Sequence, residues 1–486
     1  MQRPDLKTVE KLAEHYSVIP VCREIFADST TPIAVLRKLS AKSSRYFLLE
    51  SVEGGEKWGR YSFLGWDPKL RVTCRKKETL VTRGEQKKIY RDKNPMDVIR
   101  DILKEYKSPV LPGMPPFTGG LTGYFAYSMI GYQEPVLHIK NEKFPDMDLM
   151  LFDKIIAYDH LKQKILLIVN MKTDFPEENY KKAIEDLTAM EALLKEELPE
   201  EEPVVKQKEG FSCTTSREEY FRMVEKAKEH IRRGDIFQAV LSRQFQRPAA
   251  GSLLNPYRIL RTTNPSPYMV YFHTEDTELM STSPETLVKL YNGVVTTFPV
   301  AGSRPRGRDS QEDENLEREL LKDEKELSEH NMLVDLGRND IGKISRYGSV
   351  KVTEYMAVHK YSKIMHICSK VVGNLEPGKD ALDAIEAVLP AGTLSGAPKI
   401  RACQIIEELE KEERGIYGGA IGYIDFAGNM DTCIAIRMAV KKDGMVYVQA
   451  GGGIVADSVP QKEYEESANK AAAVMQAVLQ AEEEVL

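Results

Sequence analysis

The sequence predicts an α+β fold with substantial sheet, and three observations carry this prediction. Short apolar segments typical of strands dominate the first 195 residues. The clearest of them are 46–49, 71–74 and 164–169. Apolar residues then recur at helical spacing over 217–232, with Gly234 following as a C-terminal cap. Further strand-like segments and two long charged helices, predicted over about 313–336 and 460–480, complete the pattern.

The composition is that of an ordinary globular protein, with 42% hydrophobic and 29% charged residues among 486. The net charge of −6 argues against a nucleic-acid-binding surface, although it leaves a local basic patch open. The six cysteines form no C-x-x-C pair, which indicates free thiols in a reducing compartment. No apolar leader is visible and the run 165–169 is too short to span a bilayer, so we expect a soluble cytoplasmic protein.

Residues 196–210 are acidic, contain two prolines and lack periodicity, so we predict a linker between an N-terminal region, 1–195, and a C-terminal region, 211–486. Two glycine-interrupted segments, 119–124 and 418–423, resemble each other across this linker. Glycines inside strands often mark a close approach of two backbones. The likeness leaves both an ancient duplication and coincidence open.

The glycine triplet Gly451-Gly452-Gly453 precedes the last predicted helix and fits G-x-G-x-x-A. A dinucleotide site is not expected, because the following residues are predicted to be helical and supply no second strand with an acidic residue. A phosphate-binding P-loop would end in Gly-Lys-Ser/Thr, which is absent. Two interpretations remain: a backbone cradle for an anion at a helix N-terminus, or a tight turn without a ligand.

Two groups of charged residues recur at helical spacing. Glu326 and Glu329 share one face of the helix 313–336, and Glu463, Glu466 and Lys470 share one face of the helix 460–480. One carboxylate from each helix would suit Mg²⁺ that also touches an anionic substrate. The alternative is two solvated helix faces, with Glu466 and Lys470 as a simple i,i+4 pair.

His366 interrupts an apolar strand-like run, where it is either a core residue or a group that moves protons near neutrality. Arginines beside glycines in 302–308, and Arg437, are suited to gripping carboxylates. The sequence contains no G-x-S-x-G, no H-E-x-x-H and no dense Cys/His cluster. The available groups therefore favour a small polyanionic substrate.

Several longer blocks resemble the chorismate-utilising enzymes, in that family's order and over about 46–470. The blocks are 283–285 (SPE), 298–307 (FPVAGSRPRG), 325–330 (KELSEH), 334–340 (VDLGRND), 390–399 (PAGTLSGAPK) and the glycine triplet. Ser303 is the one departure noted, where threonine is usual. The resemblance implies a two-sheet sandwich with helices outside, in α/β/β/α layers, and an active site between the sheets.

Three features resemble the anthranilate synthase branch of the family. Gln238 stands where members that add water carry lysine, and a glutamine marks members that use ammonia. Ala301 stands where many aminodeoxychorismate synthases carry a lysine that captures C2. Segments 48–51 and 264–269 resemble those that bind the feedback inhibitor tryptophan. The resemblance implies chorismate and ammonia as substrates, Mg²⁺ as cofactor and a separate glutamine amidotransferase subunit in a heterotetramer.

The resemblance also implies a role for each matching residue. Glu329 and Glu466 would ligate Mg²⁺, with Glu326 and Glu463 in support and Lys470 neutralising the acidic cluster. Tyr417 and Arg437 would bind the enolpyruvyl carboxylate, and Gly451, Gly452 and Gly453 would bind the ring carboxylate with Gly302 and Ser303 nearby. His366, oriented with Thr393, would act in pyruvate elimination, and Glu285 would serve as the general acid. Tryptophan would bind at Ser51, Pro267, Tyr268 and Met269.

Two alternatives stay open. Aminodeoxychorismate synthase component I remains because some of its members also carry alanine at the Ala301 position, and it would retain pyruvate on its product. A non-catalytic regulator that binds a dicarboxylate or tryptophan is the other. The complete set of Gln238, His366, Thr393, Arg437 and Glu466 argues against the regulator, because a binding module has no need of a proton-transfer histidine.

Overall fold

The structure, a computed structural model, describes residues 2–51, 59–200, 205–361 and 364–483. The strands, in chain order, are β1 Gln2–Arg3, β2 Val18–Phe26, β3 Tyr46–Glu50, β4 Tyr61–Trp66, β5 Leu70–Arg75, β6 Glu78–Arg83, β7 Gln86–Tyr90, β8 Gly120–Phe125, β9 Met147–Phe152, β10 Lys154–Asp159, β11 Lys164–Lys172, β12 Ser212–Cys213, β13 Gln238–Pro248, β14 Tyr268–His273, β15 Thr277–Ser283, β16 Thr286–Tyr291, β17 Val294–Thr297, β18 Val300–Pro305, β19 Lys351–Lys360, β20 Ile364–Asn374, β21 Gly396–Ala397, β22 Ala420–Asp425, β23 Met430–Ile434, β24 Met438–Lys442 and β25 Met445–Ile454.

The helices, in chain order, are α1 Leu6–Ala13, α2 Pro32–Ser40, α3 Pro95–Lys104, α4 Pro176–Lys195, α5 Arg217–Arg232, α6 Leu254–Thr263, α7 Ser310–Leu320, α8 Glu324–Gly342, α9 Ala381–Val388, α10 Lys399–Leu409 and α11 Pro460–Gln480. A short 3₁₀ turn, Gly392–Leu394, lies between α9 and α10. Among the described helices, none has the length and apolar character needed to cross a bilayer.

The strands form two sheets, each built from both regions of the sequence. The first has the order β1-β2-β11-β10-β4-β3-β14-β15-β24-β25-β13-β12, with β21 also paired to β13. The second has the order β18-β20-β17-β16-β23-β22-β8-β9-β5-β6-β7, with β19 paired to β20. Strands β3 and β8 come from the N-terminal region and pair with β14 and β22 from the C-terminal region. The boundaries at 195 and 211 stay a prediction, and 201–204 of the predicted linker lie outside the described residues.

The two similar glycine segments meet where β8 pairs with β22. Gly123 lies opposite Gly422 in this antiparallel pair. A Cβ at Gly123 would lie 2.0 Å from the carbonyl oxygen of Asp148, and one at Gly422 would lie 2.1 Å from that of Asp431. The neighbouring backbones leave no room for a side chain, which confirms the predicted close approach.

Three cores define four layers. An outer core packs α1, α2, α4, α6 and α11 against the first sheet. A second outer core packs α3, α8 and α9 against the other sheet. An inner core, rich in aromatic residues such as Phe47, Phe152 and Tyr423, joins the facing surfaces of the two sheets. The predicted two-sheet sandwich with helices outside is therefore confirmed.

Helix boundaries follow local capping signals. Helix α5 begins after Ser216, whose hydroxyl forms a capping box with Glu219, and it covers the predicted range. Helix α11 likewise agrees with the predicted 460–480. The single helix predicted over about 313–336 is wrong: Asp323 accepts bonds from the backbone N–H groups of Lys325 and Glu326 and starts a new helix, α8.

Candidate active site

The glycine triplet forms the end of strand β25, paired antiparallel with β13. The tight turn considered from the sequence is therefore wrong, since the turn follows the glycines. A Cβ at Gly451 would lie 2.2 Å from the carbonyl oxygen of Leu241, and one at Gly453 would lie 2.1 Å from Nε2 of Gln238. Both glycines exist because the adjacent strand β13 occupies the space of a side chain.

Gly452 faces the carboxylates of helix α11. A Cβ there would lie 3.1 Å from Oε2 of Glu463 and 3.8 Å from Oε1 of Glu466. Lys470 Nζ lies 2.7 Å from Oε1 of Glu466 and donates to the carbonyl oxygen of Gly451 at 3.2 Å. The i,i+4 pair expected on a solvated face is present, and it lies against the end of strand β25.

Helix α8 brings a second pair of carboxylates to strand β18 of the other sheet. Oε2 of Glu326 lies 3.2 Å from the position of a Cβ at Gly302. Burial raises the pKa of Glu326, and the negative charge of Glu329 raises it further. The two glutamates, three residues apart, thus share one face as the sequence predicted.

Helix α8 lies within electrostatic reach of the carboxylates of helix α11. Burial and the charge of Glu466 raise the pKa of Glu463, while Lys325 of α8 lowers it across the gap. Among the described residues, no three histidine, cysteine or acidic side chains converge on one point. Mg²⁺ needs only one or two protein carboxylates beside ligand oxygens and water, so this donor set fits it. A cation would also relieve the repulsion between the paired carboxylates.

His366 lies on β20 opposite Ser303 of β18, beside a bulge at Gly302. Gly302 adopts a φ of +70°, which glycine reaches without strain, and its carbonyl oxygen lies 3.1 Å from Nδ1 of His366. Because a carbonyl only accepts, Nδ1 carries the proton and Nε2 is left as the acceptor. Burial lowers the pKa of His366, and the charge of Arg437 adds to this, so the ring is neutral near pH 7.

Glu285 lies in the connection between β15 and β16, and its Oε1 accepts a hydrogen bond of 3.1 Å from Oγ1 of Thr393. Burial raises the pKa of Glu285 to about 8, although Thr393 and Lys470 lower it. The carboxyl therefore holds a proton near neutrality and can donate it. The resemblance implied that His366 is oriented with Thr393, whereas the structure pairs the Thr393 hydroxyl with Glu285, because the 3₁₀ turn that carries Thr393 faces the end of β15.

Tyr417 and Arg437 lie beside the glycine triplet. The backbone of Gly451 hydrogen-bonds the Tyr417 hydroxyl, and burial raises the pKa of Tyr417 to about 12. Burial lowers the pKa of Arg437, while Tyr417 and Glu466 raise it. Arg437 has a φ of +48°, which is uncommon for a residue with a side chain. Within the described part of the chain its guanidinium has no hydrogen bond or ion pair, so it is available to an anion.

Gln238 begins strand β13 and pairs with Ala397 of β21. Its side chain packs over Gly453, and Oε1 is buried without a hydrogen-bond partner among the described residues. A buried acceptor without a donor is costly, so a ligand with N–H groups would be favoured here.

Ser51 lies next to the segment 267–269, as predicted for a shared site. Met269 pairs with Glu50 across β14 and β3, so Ser51 lies beside Tyr268. Tyr268 packs against the inner core, whereas Met269 lies in the outer core of the first sheet. Successive strand residues point to opposite faces, so Ser51 and Tyr268 share the inner face with Pro267 adjacent, and Met269 points away from them.

Sequence reasoning missed Arg414, whose side chain is 3% exposed and pairs with Glu410. Glu410 directly follows α10, and Arg414 lies four residues further along the chain, a spacing that within a helix usually indicates a solvated surface pair. Only the fold shows that this pair lies beneath the segments that carry Gln238 and Thr393.

The chain is similar to known proteins over nearly its whole length. Residues 45–476 match the family described as chorismate binding enzyme. The chain is 46% identical to anthranilate synthase component 1 of Acetivibrio thermocellus over 99% of both chains, and 46% identical to that of Aquifex aeolicus over 98% of both. The structure is similar to that of anthranilate synthase component I from Streptococcus pneumoniae, with a TM-score of 0.78 and 37% identity over 93% of this chain and 99% of that one. The menaquinone-specific isochorismate synthase of Escherichia coli shares the fold, with a TM-score of 0.71 at 18% identity over 98% of this chain and 100% of that one. The chain therefore belongs to the chorismate binding enzyme family.

Proposed function

We propose that the protein is the component 1 subunit of an anthranilate synthase, a lyase that converts chorismate and ammonia into anthranilate and pyruvate. The observation that carries this proposal is the 46% identity to the Acetivibrio thermocellus anthranilate synthase component 1 over 99% of both chains. Gln238 and Ala301 agree with it, because they are the residue types expected in members that add ammonia directly at C2.

Chorismate carries two carboxylates, and the site offers a group for each. Arg437, half-buried and without a partner among the described residues, would bind the enolpyruvyl carboxylate together with the hydroxyl of Tyr417. The backbone of 451–453 would bind the ring carboxylate, with Gly302 and Ser303 of the second sheet nearby. Two carboxylate-binding groups would fix the ring in one orientation.

Mg²⁺ is the proposed cofactor. Glu329 and Glu466 would hold it, with Glu326 and Glu463 in support and Lys470 balancing the remaining negative charge. When bound, the ion supplies positive charge that neutralises the ring carboxylate.

The first step would add ammonia at C2 while the C4 hydroxyl leaves. The buried Oε1 of Gln238 would accept a hydrogen bond from ammonia and direct its lone pair at C2. Glu285, protonated near neutrality, would donate its proton so that the hydroxyl leaves as water. The product is aminodeoxyisochorismate. Thr393, which donates to Glu285, would hold the carboxyl in place.

The second step would eliminate pyruvate. His366 has its Nδ1 proton held by the Gly302 carbonyl, so Nε2 would accept the proton from C2. As that proton leaves, the C3–O bond breaks and the ring becomes aromatic. The released enolpyruvate takes up a proton and becomes pyruvate, which leaves anthranilate in the site.

Regulation and ammonia supply extend the proposal. Tryptophan would bind between the sheets at Ser51, Pro267 and Tyr268, with Met269 supporting from the outer core. The relatives are named component 1, and we propose that the further component is a separate glutamine amidotransferase subunit that supplies ammonia. Free ammonia would serve as a fallback.

The test is an assay of the full chain with chorismate, Mg²⁺ and ammonium, followed by anthranilate fluorescence with and without tryptophan. We expect fluorescence that needs all three additions, that tryptophan suppresses and that glutamine cannot support in place of ammonium. An amino product that retains the enolpyruvyl group would indicate an aminodeoxychorismate synthase. Unchanged chorismate would indicate a non-catalytic regulator, and either result overturns the proposal.

A further inference from the structure

Arg414 joins one carboxylate to two backbone carbonyls. Its Nε and Nη2 donate to the two carboxylate oxygens of Glu410 at 2.8 and 2.7 Å. Its Nη1 donates to the carbonyl oxygen of Leu394 at 2.5 Å, and Nη2 donates to that of Val240 at 2.6 Å. Glu410 is itself fixed, because Oε1 accepts from the backbone N–H and the hydroxyl of Ser242 at 2.6 and 3.0 Å.

Both carbonyls belong to segments that carry side chains of the proposed site. Val240 lies two residues after Gln238 in strand β13. Leu394 directly follows Thr393 in the 3₁₀ turn. Movement of either carbonyl therefore moves the backbone beside one of these side chains, so Arg414 links Gln238 to Thr393 through short, rigid pieces of chain.

The guanidinium continues a backbone ladder. The N–H of Val240 donates to the carbonyl oxygen of Ser395 at 2.9 Å, and Arg414 donates to the carbonyl oxygen of the preceding residue, Leu394. The Cζ of Arg414 also lies 5.8 Å from the ring centroid of Tyr417, within cation–π range. Strand β13, the 3₁₀ turn and Tyr417 thus all contact one buried cation.

We propose that Arg414, held by Glu410, is a positioning residue that fixes the distance between the ammonia site at Gln238 and the general acid. The link to the acid is the hydrogen bond from Thr393 to Glu285. The inference rests on the proposed function, since it assigns an effect on the reaction with ammonia. A lysine would keep the positive charge and lose the planar fork that reaches both carbonyls at once.

The experiment compares the wild type with Arg414→Lys, Glu410→Gln and the matched control Arg247→Lys. Arg247 is also buried and lies in β13, the strand that carries Gln238 and Val240. It pairs with Glu482 at 3.0 Å on the outer side of the sheet. Circular dichroism reports folding. Initial rates give kcat and the KM values for ammonium and chorismate separately.

We expect Arg414→Lys to lower kcat/KM for ammonium by roughly 10- to 100-fold, the cost of a displacement of about 1 Å, with a larger rise in KM for ammonium than for chorismate. Glu410→Gln keeps the acceptor shape and should show a smaller loss in the same direction. Arg247→Lys should lose thermal stability and keep wild-type kinetics.

Wild-type ammonium kinetics in a folded Arg414→Lys protein would overturn the inference, and so would an equal kinetic loss in Arg247→Lys. Should Arg414→Lys fail to fold, Glu410→Gln decides in the same way. A wild-type chain that forms no anthranilate from ammonium overturns the proposed function itself, which is a different result.

Discussion

The substitution Gly453→Ala tests whether the absence of a side chain at this position is needed to leave space for the Gln238 side chain. A Cβ at this position would lie 2.1 Å from Nε2 of Gln238, where a relaxed contact is roughly 3.5 Å. The amide must therefore retreat by about 1.4 Å, and a displacement of about 1 Å in an active site costs on the order of 100-fold in rate. The neighbour is the end of a flexible side chain, and alanine suits a strand better than glycine by about 0.5–1 kcal/mol, so the fold should survive.

The other two glycines are matched controls with different expected outcomes. At Gly451 a Cβ would lie 2.2 Å from the carbonyl oxygen of Leu241, which belongs to the paired strand and cannot retreat. Gly451→Ala should therefore reduce the yield of folded protein. At Gly452 a Cβ would lie 3.1 Å from Oε2 of Glu463. Gly452→Ala should raise the Mg²⁺ concentration needed for half-maximal rate and leave the KM for ammonium unchanged.

The assay records anthranilate fluorescence at saturating chorismate and Mg²⁺ while ammonium is varied. For Gly453→Ala we expect kcat/KM for ammonium to fall by about 100-fold with an unchanged thermal midpoint. Gln238→Ala removes the group that the new Cβ displaces, so the double variant should match Gln238→Ala alone. Wild-type ammonium kinetics in Gly453→Ala, or losses that add in the double variant, would refute the reasoning.

Three further predictions concern other parts of the site. Glu285 has its pKa raised to about 8 from an ordinary 4.5, so kcat should fall as pH rises through about 8, and Glu285→Gln should lose activity together with this limb of the pH–rate profile. The folded chain also holds a proton that the unfolded chain releases between those two values, so the unfolding free energy measured in urea should decrease across that window and flatten in the variant. Glu466→Gln should abolish Mg²⁺-dependent turnover with the circular dichroism spectrum unchanged; unaltered activity at limiting Mg²⁺ contradicts the metal assignment. Ser51→Phe should release inhibition by tryptophan and preserve catalysis, because the ring would fill the space beside Tyr268; a tryptophan titration that matches wild type contradicts this site.

Local signals predicted the elements that local interactions determine. Helix α5 was predictable because its apolar spacing and the glycine that follows it agree, and the structure adds a capping box at its start. The break at Asp323 was missed because helical residues continue on both sides, and only the side chain's bonds to two backbone N–H groups reveal a new start. The pairing of β8 with β22 joins residues about 300 positions apart, and no local pattern specifies such a partner.

In the site, too, the features set by local spacing were predictable and those set by packing between the sheets were not. The sequence alone placed Glu326 with Glu329 on one helix face, and the structure agrees, since i,i+3 spacing is a local property. Whether Thr393 meets His366 or Glu285 depends on the path of a 3₁₀ turn across the end of a different strand. That path follows from packing between the sheets, which the sequence pattern does not contain.

The pairs Glu410–Arg414 and Glu466–Lys470 show what residue type adds to spacing. Both are i,i+4 pairs, yet the side chains of the first are 5% and 3% exposed and those of the second are 52% and 36% exposed. Arginine can be buried here because its planar fork satisfies a carboxylate and two carbonyls together, which offsets the desolvation of the charge. Lysine is a compact, strongly hydrated charge, so it stays at the mouth of the site, where its ammonium contacts Glu466 and the carbonyl of Gly451. Arginine permits this burial only where the fold supplies those carbonyls, since Glu314 and Arg318 have the same spacing and their side chains are 62% and 60% exposed.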